Sequence, residues 1–343
     1  MIALALALAA QDAGALEGLI RKSGFDHGYA LIAREDAILL EKTIVDCTPP
    51  NDGKEHFCND HPLPPDPRFP FASISKQMAA VVTMQAIDAG RIALEAPIDR
   101  YLGTLAGNAA APTVRQLLQH QSGLRNSNDS AADAKGDPSF YSTGPNGADW
   151  CLTDRKEPGG DWSYNNCDTI VLEAVLQKAT GKSIKHLFEE GVAQPLGLTR
   201  TYYLPGSDPD ELLGSLTARA FAGYGAAGSL TGTPRELLAI DRALLAGTLL
   251  SAKSRAVLWD GDPRLGYMAI GQWVFDAPLT GCARPVRIVE RRGDIGGNQA
   301  RNILLPDSGT VVILFTSDGD FDFGEIWQGK GLSHDLLAAV ACP

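Results

Sequence analysis

The sequence predicts an α/β (α+β) fold: an antiparallel β-sheet flanked by helices and split by a mostly helical insertion. Two observations carry that expectation. Short runs rich in β-branched and aromatic residues gather near both ends of the chain, while the long middle stretch reads as helices and loops. A sheet assembled from the two ends, with helices at its faces, accommodates both.

In chain order, an amphipathic helix near Ala13–Ser23 leads to strands near Tyr29–Ala33 and Ile38–Val45, then to a Pro- and Asp-rich excursion over Cys47–Pro70. A helix opening at Ser73 runs to Gly90, a residue suited to the left-handed conformation that ends helices. From about Pro97 to Phe221 helices alternate with long loops, with turns at Thr180–Ser183 and Pro195–Leu198. Thr233-Pro234-Arg235-Glu236 is a capping box with proline at the first helical position, starting a helix through about Leu245. Strands follow near Tyr267–Phe275, Val286–Arg291, Ala300–Leu305 and Thr310–Phe315, and a helix over Leu332–Val340 closes the chain. There is no internal repeat. The expected division is a discontinuous sheet lobe, 11–96 with 222–343, and a helical lobe, 97–221.

The 343 residues are 44% hydrophobic, enough for a large core and two lobes. A formal net charge of −11 argues against nucleic acid or anionic lipid as a partner. The apolar run Ile2–Ala10 is too short to span a membrane and ends in an Ala-rich stretch suited to signal-peptidase cleavage, though no Lys or Arg precedes Arg21. Residues 1–10 are therefore expected to be a signal-peptide remnant. Six cysteines, an even number, favour an oxidising compartment, hence a periplasmic or secreted protein. The expected pairs are Cys47–Cys58, Cys151–Cys167 and Cys282–Cys342.

Chemistry concentrates at three places. Ser73 and Lys76 put a hydroxyl and an amine three residues apart at a helix start, on one face. A lysine whose charge is disfavoured locally can take the serine proton, and the free N–H groups of the first turn can stabilise an oxyanion. Alone, this spacing also describes a helix start with a solvated lysine. Gly159–Asn166, a Gly- and Asp-rich loop entering a helix, holds Tyr164 and Asn166; a phenol among cations relays a proton, and a carboxamide can hold an acyl amide. Glu290–Gly297 offers Arg291 and Arg292 before Gly293 and Asp294 at a strand edge, where a substrate backbone can pair and a backbone N–H can face an oxyanion.

In this order and separation the three segments resemble the serine β-lactamase and penicillin-binding-protein family, most closely its class C β-lactamase and D-peptidase/esterase branch. Gly90–Leu102 and Val114–Leu124, the latter ending Leu117-Leu118-Gln119-His120-Gln121-Ser122-Gly123-Leu124, look like two further runs of that family. The resemblance covers about residues 65 to 320 and implies a β-lactamase/transpeptidase-like fold. It makes Ser73 the acylated nucleophile, Lys76 its activator, Tyr164 the proton relay and leaving-group acid, and Asn166 a substrate-amide contact. Arg291 falls where the family has Lys or His, Arg292 falls on a hydroxyl position, and the oxyanion donors would be the N–H groups of Ser73 and Asp294.

Gly223–Gly228 matches G-x-G-x-x-G but opens no βαβ unit, so it reads as a tight loop beside the site. His56, Cys58 and His61 mimic a metal cluster, yet Cys47 offers Cys58 a disulfide. His120 reads as a structural histidine. No cofactor or metal is expected, and the partner is a small-molecule or short-peptide substrate. The leading expectation is a secreted serine hydrolase acting through an acyl-enzyme on a β-lactam, a D-amino-acid peptide or a small ester. The departures at Arg291, Arg292 and Asp294 motivate the alternative of a non-catalytic binding or sensor domain.

Overall fold

The computed structural model describes residues 13–45, 66–134, 136, 138–141, 147–204 and 221–342. Cys47, Cys58, His56 and His61 lie outside them. The main sheet has six strands: β1 (His27–Arg34), β2 (Ala37–Val45), β6 (Trp273–Ala277), β7 (Val286–Ile295), β8 (Asn298–Leu305) and β9 (Thr310–Thr316). Their spatial order is β2-β1-β9-β8-β7-β6 and every pair is antiparallel. Tyr29 lies opposite Phe315, which joins the two ends of the chain at the centre of the sheet.

Both faces are covered, as the continuous apolar strands require. Val311, Ile313 and Phe315 point into one core with helix α2 (Ile74–Asp88), on which α3 (Asn166–Thr180) packs in turn. Val312 and Leu314 point the other way, against Leu16 and Ile20 of the helical residues 13–22 (α1) and Leu336, Leu337 and Val340 of the last helix, α5 (Leu332–Ala341). This is the period of two expected of a strand.

Caps explain where the helices stop. Gly90 follows the end of α2 with φ +68°, and Gly181 ends α3 with φ +76°. Helix α4 (Pro234–Ala246) begins as expected, with Thr233 Oγ1 accepting from Glu236 N–H at 3.2 Å. The reciprocal half of the box is not made, because the Glu236 carboxylate accepts from the N–H groups of Thr199 and Arg200.

Two expectations are corrected. The strand expected from Tyr267 begins only at Trp273, because Gly271 takes φ +73° to pass over α2, where a Cβ would meet the Ala80 Cβ at 2.8 Å. A second, three-stranded sheet, β3 (Phe69–Pro70), β5 (Leu230–Gly232) and β4 (Tyr202–Tyr203), was not expected. It matters because it fixes the residues before Ser73. Cys151–Cys167 and Cys282–Cys342 are bonded as expected.

Candidate active site

Ser73 is positioned from both sides. Phe71 N–H donates to Leu230 O of β5 at 2.9 Å, and Ala72 then turns with φ +49°, a strained conformation for a residue with a Cβ. Ser73 arrives at the N-cap of α2, yet its hydroxyl makes no capping bond and stays available. Its backbone N–H donates to no acceptor among the described residues.

One turn along, Lys76 is buried, with Nζ 3.0 Å from Ser73 Oγ, 2.7 Å from Asn166 Oδ1 and 2.7 Å from Ala227 O. The last two oxygens can only accept, so they take two N–H bonds. A neutral amine then has its lone pair left for the serine proton. Burial pushes the amine down to about 8, with Tyr164 opposing and Arg291 reinforcing the shift. Asn165 rather than Asn166 caps α3, its side chain accepting from Cys167 N–H at 2.9 Å, which frees Asn166 for Lys76.

Tyr164 OH lies 2.5 Å from Ser73 Oγ. Burial alone would raise the phenol, but the Lys76 and Arg291 cations outweigh it and bring it to about 8. Lys76 Nζ and Arg291 Cζ stand 4.9 and 5.5 Å from the ring centroid. Two groups this close are coupled, so the protonation of each depends on the other.

Arg291 is fully buried, with Nε donating to Ser73 O at 2.8 Å and Nη2 to Tyr164 OH at 3.3 Å. Gly293 is on the same face of β7, and a Cβ there would sit 2.6 Å from Phe71 O, so glycine is what lets this strand approach the serine turn. The β6 register ends at Trp273 opposite Glu290, leaving Arg291–Ile295 as an edge on that side. Arg292 leaves the opposite face of the strand, although it too lines the cavity beside Ser73. It bonds Glu290 at 2.8 Å and Glu325 at 2.6 Å, so it is held by two carboxylates rather than presented alone. Asp294 is exposed at the cavity rim, where the surrounding protein partly desolvates its carboxyl and raises it while Arg301 opposes.

Ser73, Tyr164, Asn166, Arg291, Gly293 and Asp294 line one cavity of about 390 Å³, with Lys76 behind it. Sequence reasoning missed Asn128 and Trp273, which line the same cavity. Asn128 Oδ1 accepts from Tyr141 OH at 2.8 Å and Asn166 Nδ2 at 3.3 Å, which leaves its own NH2 for the cavity. A lone Asn in a loop gives no signal of this. His120 is structural in its contacts: Nδ1 is 2.8 Å from the buried Asp168, whose other oxygen accepts from Ser122, and its ring packs on Tyr164 at 4.9 Å. Burial holds the His120 imidazole well below its ordinary range. Gly225–Ala227 is the tight turn expected beside the site, and it supplies the Ala227 carbonyl.

No helix among the described residues is long and apolar enough to cross a membrane. Esterase EstB of Burkholderia gladioli is 27% identical over 209 residues, covering 57% of this chain and 51% of the esterase. A D-aminopeptidase of Brucella anthropi is 30% identical over 146 residues, 40% of this chain and 27% of the peptidase. The chain thus spans about half or less of the length of these relatives. A D-stereospecific amidohydrolase from Streptomyces sp. shares the fold with a TM-score of 0.74 at 20% identity, covering 96% of this chain and 98% of the other. The family described as Beta-lactamase matches residues 50–329, most of the chain and all three motif segments, and this protein belongs to that family.

Proposed function

We propose that the chain is an extracytoplasmic serine hydrolase that forms an acyl-enzyme on Ser73 with small esters and with amides or peptides of D-amino acids, β-lactams being poorer substrates. The observation that carries this reading is Ser73 Oγ held between Lys76 Nζ at 3.0 Å and Tyr164 OH at 2.5 Å on the wall of an open cavity. The names of the relatives support the substrate classes, and two disulfides support an oxidising compartment.

The carbonyl oxygen of the substrate lies between the N–H groups of Ser73 and Asp294. Ser73 Oγ bonds to the carbonyl carbon as its proton passes to the Lys76–Tyr164 pair, and the carbonyl electron pair moves onto the oxygen facing the two donors. Collapse breaks the bond to the leaving group, which takes its proton from Tyr164. Water then adds to the acyl ester, gives its proton to the same pair, and the second collapse returns that proton to Ser73 and releases the acid. Asn166 positions Lys76, and the amide contact the resemblance assigns to it falls to the free NH2 of Asn128.

The test is intact-mass analysis after a fluorophosphonate probe, together with turnover of a neutral nitrophenyl ester. Wild type is expected to gain one adduct, and Ser73→Ala to lose both adduct and turnover while melting as before. An undiminished adduct on the Ala variant refutes the assignment.

A further inference from the structure

The Gly223–Gly228 run remains to be explained, as does a buried carboxylate facing it. Glu173 lies two turns beyond Asn166 on α3, so the two side chains leave the same side of the helix. Glu173 Oε2 accepts from the Ala226 N–H at 2.8 Å, inside the turn Gly225–Ala227. Ala227 O, the next carbonyl along, is the acceptor 2.7 Å from Lys76 Nζ. The fit is close enough to dictate sequence: Gly225 has φ +49°, and a Cβ there would lie 2.6 Å from the same Oε2. Tyr224, at the head of the turn, stacks on Tyr141 at 3.7 Å, and Tyr141 OH in turn accepts from Asn166 Nδ2 at 2.8 Å. Helix α3 therefore reaches Lys76 twice, directly through Asn166 and indirectly through Glu173 and the turn.

We propose that Glu173 is a positioning residue for Lys76, clamping the Gly225–Ala227 turn so that the Ala227 carbonyl holds the amine with its lone pair toward Ser73. This rests on the reading of Ser73 and Lys76 given above. A carbonyl free to drift would let the amine rotate, and the lone pair would no longer meet the serine proton. The ionisable groups facing Glu173 and Lys76 are Tyr203, Tyr164, Arg291 and Asp168. None of them bonds the turn; Ser229 closes it locally, its Oγ donating to Gly225 O at 2.8 Å, while Glu173 is what ties it to α3. An acceptor at this position is what matters, which separates the role from simple filling of space.

The test compares Glu173→Gln, Glu173→Asp and Glu173→Ala by the rate of fluorophosphonate acylation of Ser73 and by the pH profile of neutral-ester turnover, each corrected for folded fraction. Gln keeps an oxygen acceptor at full reach and is expected to stay within about threefold of wild type. Asp withdraws the acceptor by one methylene and Ala deletes it. Both should lose about 10- to 100-fold in kcat with KM little changed, the scale for misplacing a catalytic group by about 1 Å, and their profile midpoints should move. If Ala does not fold, the Gln and Asp pair decides. Variants that melt lower yet acylate at the wild-type rate with the wild-type pH midpoint overturn the proposal. Absence of any adduct on wild-type Ser73 would instead overturn the reading beneath it.

Discussion

Removing the charge of Arg291 tests the electrostatics of the site most directly. Arg291→Met keeps an unbranched apolar side chain and deletes the cation that stands 3.3 Å from Tyr164 OH. At that distance a unit charge is worth about 1 kcal/mol in fully screening water and about 5 kcal/mol at the effective dielectric of ~20 that suits buried sites. At ~1.36 kcal/mol per pH unit, this is a shift of about 1 to 4 units. The sign is the same for both partners. Loss of the cation raises Tyr164, because its phenolate loses a counter-charge, and raises Lys76, because its ammonium loses a repelling neighbour; both now stand at about 8. Whichever of the pair takes the serine proton, its basic form appears at higher pH. The rising limb of kcat/KM for a neutral nitrophenyl ester should therefore move up, by at least about one unit where Tyr164 sets it, with about a tenfold loss at neutral pH per unit moved. Arg291→Lys, which keeps a positive charge, should lower the plateau through the lost bond to Ser73 O yet leave the midpoint near that of wild type. A Met variant that still acylates with its midpoint within about 0.3 unit of wild type would show that Arg291 does not tune Tyr164 as the base, since the calculation admits no shift that small at 3.3 Å.

Two further outcomes follow from the fold. Cys151 and Cys167 close a loop of sequence separation 16, ending one residue after Asn166, so Cys151→Ala with Cys167→Ala should cost about 3 kcal/mol in the chain-entropy model. Chemical denaturation reads this, and a change below about 1 kcal/mol would mean that other contacts hold the Tyr164 loop. Asp241 is fully buried, with Asn302 Nδ2 donating to it at 3.0 Å, and burial raises its carboxyl to about 8 against that opposing bond. The native state then keeps a proton that the unfolded chain releases above its ordinary pKa of 3.8. Its contribution to stability is full below that value and falls by about 1.4 kcal/mol per unit up to the folded pKa. Melting temperatures of wild type and Asp241→Asn should accordingly diverge from pH 4.5 to 8 in favour of Asn; parallel curves would show that Asp241 is not protonated in the fold.

What could be read from the sequence, and what could not, divides along the distance over which each contact is made. Ser73 and Lys76 were legible because three residues on a helix fix their geometry locally. The strands β1, β2, β8 and β9 were legible because β-branched runs report burial, whereas β3, β4 and β5, two or three residues each, are too short to show a period. The third support of Lys76 was not legible at all: Ala227 is 151 residues away and offers a backbone carbonyl, which every residue has. Arg291 shows the same limit in another form. Sequence supplies its charge but not its depth, and a cation at a strand edge reads equally well as a ligand for a substrate carboxylate. Depth is set by strand parity. Gly293 must face the serine turn, because only a residue without Cβ fits within 2.6 Å of Phe71 O. Arg291, two residues earlier, must face the same way and is buried under Tyr164, while Arg292 leaves the other face and is held by Glu290 and Glu325. The one glycine that brings β7 against Ser73 thus also decides which arginine lies beside Lys76 and Tyr164, and it leaves Arg291 Nη1 buried and without a hydrogen-bond partner among the described residues.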